Sequence, residues 1–314
     1  MTTDNNFSAD EAVSEAELEA LRESAKKRTY LAYALAAAAF PFYWWLFYTH
    51  KFADGGSSAM MKNAIAAAVS SAGTFGFLHT IVARRAHARF VESFKAKYVL
   101  PVIGALPGFS QLEFRSREGF EWEEVRDAAV VKCGDKKYFK REDLLTGLYE
   151  GVRFRISDVT ARRMVKKEKK RELQTLFDGQ VMCFSRFDDT KKSAGFVQVF
   201  QRELFTDNGG ARAEHRIMTE NAAFNDKFNV FADDEHNAYY ILTPQLIGKI
   251  MEFSEAAGAP VSLVFVGEKL YAAVERRGMF VPVLDEPVGV QKERLGGDIA
   301  VLRKAAELLI DLPE

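Results

Sequence analysis

The chain has 314 residues, a formal net charge of −1 and 28% charged residues. So balanced a charge produces no strong global field, which argues against a protein that binds nucleic acid or another polyanion through its net charge. Its two cysteines, Cys133 and Cys183, are too few for a disulfide scaffold and lack the spacing of a zinc site. They favour a reduced, cytoplasmic location, with a single disulfide bridge as the alternative.

Residues 1–28 are predicted to form an acidic cytoplasmic tail. Carboxylates are scattered through it, and the apolar stretch that follows is too long for a cleaved signal peptide. The segment Ser8–Glu11 has the form of a capping box, which predicts a solvated helix toward Lys26. A mostly disordered tail is the alternative interpretation.

Two apolar runs without Lys, Arg, Asp or Glu occupy residues 30–48 and 64–82. Each is close to the roughly 20 residues that a helix needs to cross a bilayer. We therefore predict a transmembrane helical hairpin over residues 29–83, with a polar link at 49–63.

The basic residues around this hairpin predict its orientation. The link contains only Lys51 and Lys62, whereas larger basic groups precede the first run and follow the second. These groups are Lys26, Lys27 and Arg28, and Arg84, Arg85 and Arg89. The positive-inside rule then places both termini in the cytoplasm and the link outside, in a multi-pass membrane protein.

Small residues recur at four-residue spacing along the second run, at Ala68, Ala72 and Gly76. Such a ridge lets helix backbones approach closely in lipid. We predict that it packs against the first span. Self-association of the chain is the alternative, and with it an oligomeric transport component built from the hairpins.

Residues 84–108 are predicted to form a basic juxtamembrane helix and linker. A basic amphipathic helix beside a membrane is typical of a surface-lying or stalk element, and we expect it to contact the lipid bilayer. Its candidate lipid-contact residues are Arg84, Arg85, Arg89 and Lys95.

A second basic run, Arg162–Arg171, adds Lys166, Lys167 and Lys170 to the candidate lipid contacts. A solvated loop or helix face is the alternative interpretation. The run has no interleaved aromatic residues, so we expect no nucleic-acid partner.

Residues 109–314 are predicted to form a cytoplasmic α+β domain with a mostly antiparallel sheet and packed helices. The expected strands are Leu112–Ser116, an alternating strand at 152–157, an antiparallel pair Gln180–Phe187 and Gly195–Arg202, and a hairpin of Val261–Val266 with Lys269–Glu275. The expected helices are Glu121–Val130, Leu144–Leu148 capped by Asp143, Pro244–Ala257 and Asp298–Leu309. A turn is expected at Asp207–Gly210.

The most distinctive stretch is Phe224–Pro244. A structural interpretation gives its residues roles in the core and at helix ends. The core positions are Phe224, Phe228, Val230 and Tyr240, Asp233 or Asp234 caps a short helix, and Thr243 with Pro244 begins the next one. A binding or catalytic site made of Asp234, His236 and Tyr240 is the alternative.

This stretch resembles a bacterial membrane-protein family known as domain of unknown function 3137. The matching positions are Phe224, Phe228, Val230, Ala232, Asp234, Ala238, Tyr240, Ile241, Leu242, Thr243 and Pro244, and Leu176–Gly179 resembles the family's FxG lead into its strand pair. The resemblance covers roughly residues 91–287. It implies two N-terminal spans in a bacterial inner membrane, a cytoplasmic domain and a LemA-like membrane protein as a partner. It brings no activity, cofactor or catalytic residue.

Familiar catalytic signatures are missing from the sequence. It contains no HExxH zinc motif, no phosphate-binding loop and no nucleophile elbow. We therefore expect no cofactor and no enzymatic activity, and we predict a membrane-anchored cytoplasmic binding or scaffold domain. A membrane-tethered enzyme with an unrecognised site is the alternative from another functional class.

Overall fold

A computed structural model describes residues 7–8, 15–50, 57–78, 83–167, 170–186, 194–204, 215–276 and 278–310. Two compact units make up the chain. The sheet unit comprises residues 1–12, 99–280 and 293–314, and the helical unit comprises residues 13–98 and 281–292. The expected turn at Asp207–Gly210 lies outside the described residues.

The helical unit is built on one long helix, α1 (Glu15–His50), which is followed by α2 (Ser57–Leu78) and α3 (Arg84–Phe94). At 1.5 Å rise per residue, the 36 residues of α1 extend over about 54 Å. Much of the predicted tail and the first apolar run are therefore one continuous helix. Ser8 belongs to a short strand, and the other residues of the capping box expected at Ser8–Glu11 lie outside the described residues.

Small side chains allow α1 and α2 to pack closely. Ala32 and Ala67 are buried, and the rings of Tyr33 and Phe75 stack with centroids 5.9 Å apart. The hydroxyls of Tyr43 and Thr74 form a hydrogen bond of 3.0 Å between the two helices. Since alanine loses no side-chain entropy on burial, this interface forms at little cost.

The N-terminal part of α1 packs against residues 281–292, which lie far away in sequence. Arg22 is 4% exposed and donates to the backbone carbonyl of Leu284. Glu19 pairs with Arg22 at 2.7 Å and accepts a hydrogen bond of 3.0 Å from the backbone N–H of Val288. These residues therefore form a polar contact that closes the helical unit.

Within the described residues, ten strands form one sheet in the order β1-β2-β3-β4-β5-β10-β9-β6-β8-β7, and every neighbouring pair is antiparallel. The strands are β1 (Phe7–Ser8), β2 (Phe109–Arg115), β3 (Lys140–Tyr149), β4 (Val152–Lys167), β5 (Lys170–Arg186), β6 (Ala194–Gln201), β7 (His215–Ile217), β8 (Phe228–Ala232), β9 (Val261–Gly267) and β10 (Lys269–Val274). The predicted α+β class with a mostly antiparallel sheet is confirmed.

The helices of the sheet unit are short except for two. They are α4 (Leu100–Gly104), α5 (Trp122–Ala128), α6 (Ala222–Lys227), α7 (Glu235–Ile241), α8 (Pro244–Ala257) and α9 (Gln291–Ile310), whose first two residues belong to the helical unit. A π-helical turn at Lys95–Val99 precedes α4, and a 3-10 turn lies at Lys136–Tyr138.

The predicted pairing of the strands now called β5 and β6 is wrong. The β9–β10 hairpin lies between them, so that β5 pairs with β10 and β6 pairs with β9. Strands β9 and β10 are apolar on both faces and almost wholly buried, which favours the middle of the sheet. Strands that follow each other in sequence often pair, but here the burial of the β9–β10 hairpin between β5 and β6 prevents that pairing.

The helix expected at Leu144–Leu148 is also wrong, because these residues lie in β3. Asp143 adopts φ 63° at a bulge where the β3–β4 register shifts. A short apolar run suits a strand or a helix equally by periodicity. Here the neighbouring strands β2 and β4 decide in favour of a strand.

Helices cover both faces of the sheet. On one face, Val125 and Ala128 of α5 join a core with Cys183 and Tyr271. On the other face, Gln201 of β6 donates a hydrogen bond of 3.0 Å to Ser254 of α8. Arg303 of α9 lies on the rings of Phe109 and Tyr149, with centroid distances of 5.8 and 5.6 Å. The sheet is therefore the middle layer of three.

Several elements agree closely with the sequence predictions. Helix α8 has the expected bounds, with Thr243 accepting from the backbone N–H of Leu246 at 3.2 Å and Gly258 ending it at φ 58°. Strands β9 and β10 form the expected hairpin around Gly267. Capping and turn chemistry is local, and this is why the sequence predicts it well.

Candidate membrane-contact site

An extended apolar surface is exposed on α1 and α2. Among the described residues, thirteen large hydrophobic side chains on α2 and on the part of α1 from residue 30 onward are between 39% and 67% exposed. They are Tyr30, Leu31, Tyr33, Leu35, Phe40, Phe42 and Trp45 on α1, and Met60, Met61, Ile65, Val69, Phe75 and Phe77 on α2. So large an exposed apolar surface is typical of a face that meets lipid or another protein.

Length and composition support a membrane location for α1. Among the described residues, one helical segment, Glu15–Phe47, is apolar enough to cross a membrane, and only 6% of its apolar window is buried. The core helix of a soluble protein would bury most of such a window. The finding indicates membrane association weakly, since one helix passes the test.

The basic helix that follows α2 is amphipathic as predicted. Its buried side consists of Ala86, Phe90 and Phe94, and its exposed side presents Arg84, Arg85 and Arg89. Lys95 is different, because it is only 4% exposed. The three arginines are therefore open to solvent, whereas the burial of Lys95 disagrees with its prediction as a lipid contact.

The small-residue ridge of α2 lies on the outer side of the helix pair. Ala68, Ala72 and Gly76 are exposed, and a Cβ added at Gly76 would meet no atom within 4 Å. The side that faces α1 instead contains Ala67, which is fully buried. Residues 67 and 68 differ by 100° around a helix, so hydropathy alone does not separate the two faces.

The described residues of the second basic run, 162–167 and 170–171, lie in strands rather than in a loop or a helix. It forms the end of a two-stranded ribbon made by β4 and β5, in which Lys166 pairs with Arg171 and Lys167 with Lys170. Lys166 and Arg171 are exposed, and the side chains of Lys167 and Lys170 lie outside the described residues. The basic residues of this run were identified from the sequence, but no sequence pattern indicated that they lie on a two-stranded ribbon.

The distinctive stretch Phe224–Pro244 has the predicted structural roles except at one position. Phe224, Phe228 and Val230 are buried, and Asp234 accepts from the backbone N–H of His236 at 3.1 Å as the cap of α7. Thr243 and Pro244 begin α8. Tyr240, however, is 53% exposed, because Ala238 and Ile241 take the buried positions of this seven-residue helix.

The alternative site of Asp234, His236 and Tyr240 therefore occupies an open surface, since all three residues are exposed. Asp234 is engaged as a helix cap. In the described part of the chain, no group of three or more His, Cys, Asp and Glu side chains is arranged to hold a metal ion.

A polar cluster that the sequence did not reveal lies under α5. Arg155, Cys183 and Tyr271 are cross-strand neighbours on β4, β5 and β10. Glu124 of α5 pairs with Arg155 and accepts a hydrogen bond of 3.2 Å from the Tyr271 hydroxyl. The Arg155 guanidinium also lies 4.8 Å from the centroid of the Phe120 ring.

This polar cluster attaches α5 to the sheet and is poorly suited to catalysis. Burial raises the pKa of the Cys183 thiol and the pKa of the Tyr271 hydroxyl, so neither group ionises readily. Glu124 is 31 residues from Arg155 and 147 residues from Tyr271 in sequence, and strand register together with the packing of α5 brings them together. No local motif in the sequence signals such a cluster.

Comparison with known proteins identifies one family. A family model described as "Protein of unknown function (DUF3137)" matches residues 171–312. No curated protein and no solved structure gives a significant match. The match begins in β5 and includes the Phe224–Pro244 stretch, as the sequence resemblance indicated. Residues 171–312 of this chain are therefore similar to the DUF3137 family of proteins of unknown function.

Proposed function

We propose that this protein is a membrane-anchored, non-enzymatic binding or scaffold protein whose α1–α2 pair crosses a bacterial inner membrane. The observation that carries the proposal is the exposed apolar surface of α1 and α2. Covering a large apolar side chain contributes about 1.5–3 kcal/mol. Exposing thirteen such side chains to water is unfavourable in free energy, and contact with lipid removes this exposure.

In this proposal the two helices form a transmembrane hairpin, and the sheet unit lies in the cytoplasm. Two features support the arrangement. Helices α1 and α2 are separated in sequence by only residues 51–56, which favours neighbouring antiparallel spans. The exposed Arg84, Arg85 and Arg89 come directly after the second span, where the positive-inside rule requires a cytoplasmic side.

Thiol labelling in whole cells tests the hairpin and its orientation. Ser57→Cys places a thiol in the proposed outer link, and Ser110→Cys places an exposed one on the sheet unit. The native Cys133 and Cys183 are buried and give a low background. An impermeant maleimide should label Ser57→Cys in intact cells and Ser110→Cys only after permeabilisation.

The opposite pattern would reverse the orientation, and labelling of both positions in intact cells would contradict a hairpin. Release of the chain by alkaline carbonate without detergent would contradict membrane anchorage altogether. Cross-linking in the native membrane then tests the scaffold role. A reproducible protein partner, including a LemA-like one, is the expected product.

A second candidate function, self-assembly through the hairpins, is favoured by the outward position of the small-residue ridge. Ala68, Ala72 and Gly76 are exposed, and a Cβ added at Gly76 would meet no atom within 4 Å. Gly76→Leu should reduce the oligomer mass measured in mild detergent, whereas Phe77→Leu, at a neighbouring exposed position, should leave it unchanged. A monomeric wild-type chain would end this candidate function.

A further inference from the structure

We propose that the projecting end of the β4–β5 ribbon is a docking finger for an anionic bilayer surface. The docking finger consists of residues 162–167 and 170–175, and its tip presents basic side chains beside an exposed apolar pair. This inference rests on the proposed function in one respect, since the anchor keeps the sheet unit near a membrane.

The docking finger extends beyond the rest of the sheet. The pairing of β3 with β4 ends at Lys140 and Thr160, and the pairing of β10 with β5 ends at Val274 and Gln180. Beyond these points, the described strands pair only with each other, from Arg162 with Thr175 to Lys167 with Lys170. Six residues at about 3.3 Å each give a projection of about 20 Å.

The base of the docking finger is fixed. The backbone N–H of Asp135 donates to the carbonyl of Arg162 at 2.9 Å, and the Asp135 carboxylate accepts from the backbone N–H of Met164, also at 2.9 Å. Gly134 approaches so closely that an added Cβ would lie 2.3 Å from the Arg162 carbonyl oxygen. The docking finger is therefore held at a set angle to the sheet unit, as a docking element needs to be.

Basic residues lie opposite each other at the end of the docking finger. Lys166 lies opposite Arg171, and Lys167 lies opposite Lys170, so both end rungs pair like charges. Like charges directly opposite each other destabilise an antiparallel pair. A surface of anionic headgroups would neutralise them and convert this cost into binding energy.

An exposed apolar pair lies next to these charges. Met164 and Leu173 are cross-strand partners and are 37% and 39% exposed. Side chains two residues apart share a face, so Met164 and Leu173 lie on the same side as Lys166 and Arg171. The opposite face carries a hydrogen bond of 3.1 Å between Arg163 and Gln174.

Basic side chains beside an exposed apolar pair favour a lipid surface over other binding partners of the docking finger. Lysines alone protect an exposed strand from pairing with other chains, but such protection needs no exposed Met and Leu. An acidic protein would use the charges, yet the tip offers only one apolar rung to bury against it. Apolar side chains flanked by basic ones suit an anionic bilayer surface. The basic side chains meet the headgroups, and the apolar ones reach the acyl chains beneath them.

The test uses the full chain reconstituted in lipid nanodiscs. Thr175→Cys places an exposed thiol on the docking finger, and an environment-sensitive fluorophore attached there reports the docked state. Emission should shift to the blue in nanodiscs that contain phosphatidylglycerol, relative to phosphatidylcholine nanodiscs. High salt should reverse most of the shift, because the surface attraction is screened.

Two pairs of variants separate charge from apolar contact. Lys166→Gln with Arg171→Gln should lower the ratio of docked to undocked ribbon by about 25-fold, since each base near an anionic surface contributes about a factor of five. Met164→Ser with Leu173→Ser should weaken docking without changing its salt dependence. The control, Arg117→Gln with Lys269→Gln, removes the same charges from exposed positions elsewhere in the sheet unit and should leave docking unchanged.

The outcomes distinguish the docking finger from the membrane anchor. A chain that stays in the nanodisc but shows no lipid-dependent shift overturns the docking finger and leaves the anchor intact. A shift that appears in native membranes and not in pure lipid identifies a protein occupant and also overturns the proposal. A chain that does not incorporate into nanodiscs contradicts the anchor. In that case, binding of the labelled chain to added anionic vesicles still decides for or against the docking finger.

Discussion

Gly179 is the most tightly constrained residue of the sheet unit. It lies in β5, where β10 ends, and a Cβ at this position would lie 2.1 Å from the Val274 carbonyl oxygen and 2.9 Å from the Arg276 backbone nitrogen. Both neighbours are backbone atoms of the sheet and do not move aside. The Leu176–Gly179 resemblance to the family thus has a steric explanation, because only glycine fits.

We expect Gly179→Ala to lower the free energy of unfolding by about 3 kcal/mol or more, since it forces the β5–β10 pair apart. Gly248→Ala is the matched control, because Gly248 lies in α8 with no atom within 4 Å of an added Cβ. This second change should stabilise the protein by about 0.5–1 kcal/mol through helix propensity. Denaturant unfolding of the detergent-solubilised chain measures both, and equal effects would contradict the steric explanation.

The two thiols give a second test at the residue scale. Burial raises the pKa of Cys133 to about 12, so at pH 8 only about one molecule in ten thousand carries the reactive thiolate. The pKa of Cys183 is raised by the same cause. We expect both thiols to resist a maleimide at pH 8 in the folded chain and to react fully in denaturant.

The reaction of the folded chain should accelerate tenfold for each pH unit above 8, because the thiolate fraction rises in that proportion while the pH stays below the pKa. Mass spectrometry of the labelled chain measures the rate at each cysteine. Rapid labelling of either cysteine at pH 8 would show that its burial is transient.

At the scale of elements, the α1–α2 interface depends on which face of α2 meets α1. Ala67 is fully buried, while its neighbour Ala68 is exposed. On α1, the buried alanines Ala25, Ala32 and Ala39 recur every seven residues, which is the period of a close-packed helix pair. The packing of the helical unit is thus set by single alanine positions.

Ala67→Leu should therefore destabilise the helical unit by about 1–3 kcal/mol through overpacking, whereas Ala68→Leu should be tolerated. Thermal unfolding in detergent, followed by the fluorescence of the α1 tryptophans, reads this unit directly. A larger loss for Ala68→Leu would mean that the ridge predicted from the sequence faces α1 after all.

At the scale of the whole molecule, the helical unit joins residues from opposite ends of the chain. The hydrogen bond between Arg22 and the Leu284 carbonyl connects positions 262 residues apart. Gln291, only 3% exposed, donates to the carbonyls of Val283 and Glu286 at 3.0 and 2.7 Å and so fixes the loop in shape. The helical unit is therefore complete only when a segment of the DUF3137 region packs on α1.

Arg22→Ala should leave Glu19 partly buried without its partner and should release the loop at 281–292 from α1. We expect the loop to become sensitive to a glutamate-specific protease at Glu286, with little change in the sheet unit. Lys27→Ala, which removes an exposed base from the same helix, is the control. Equal cleavage of both variants would show that Arg22 does not hold the loop.

Local chemistry made much of this fold predictable. Helix α8 follows from Thr243, Pro244 and Gly258, which act within a few residues of the helix ends. The β9–β10 hairpin follows from the two-residue link Gly267–Glu268 between two apolar runs, and the alternation at 152–157 correctly predicts part of β4. Patterns of this kind require no information about distant parts of the chain.

Long-range neighbours decided the rest, because pairing partners and buried faces are properties of the assembled chain. Long-range packing leaves Tyr240 exposed and places Asp143 in a bulge. It also places β5 beside β10 rather than beside β6. The candidate membrane-contact site was likewise predictable only in part. The sequence by itself determined where the apolar helices and the basic residues lie, since composition is local. Only the tertiary structure decided that the described residues of the second basic run lie on a two-stranded ribbon, because strand pairing is a property of the assembled chain.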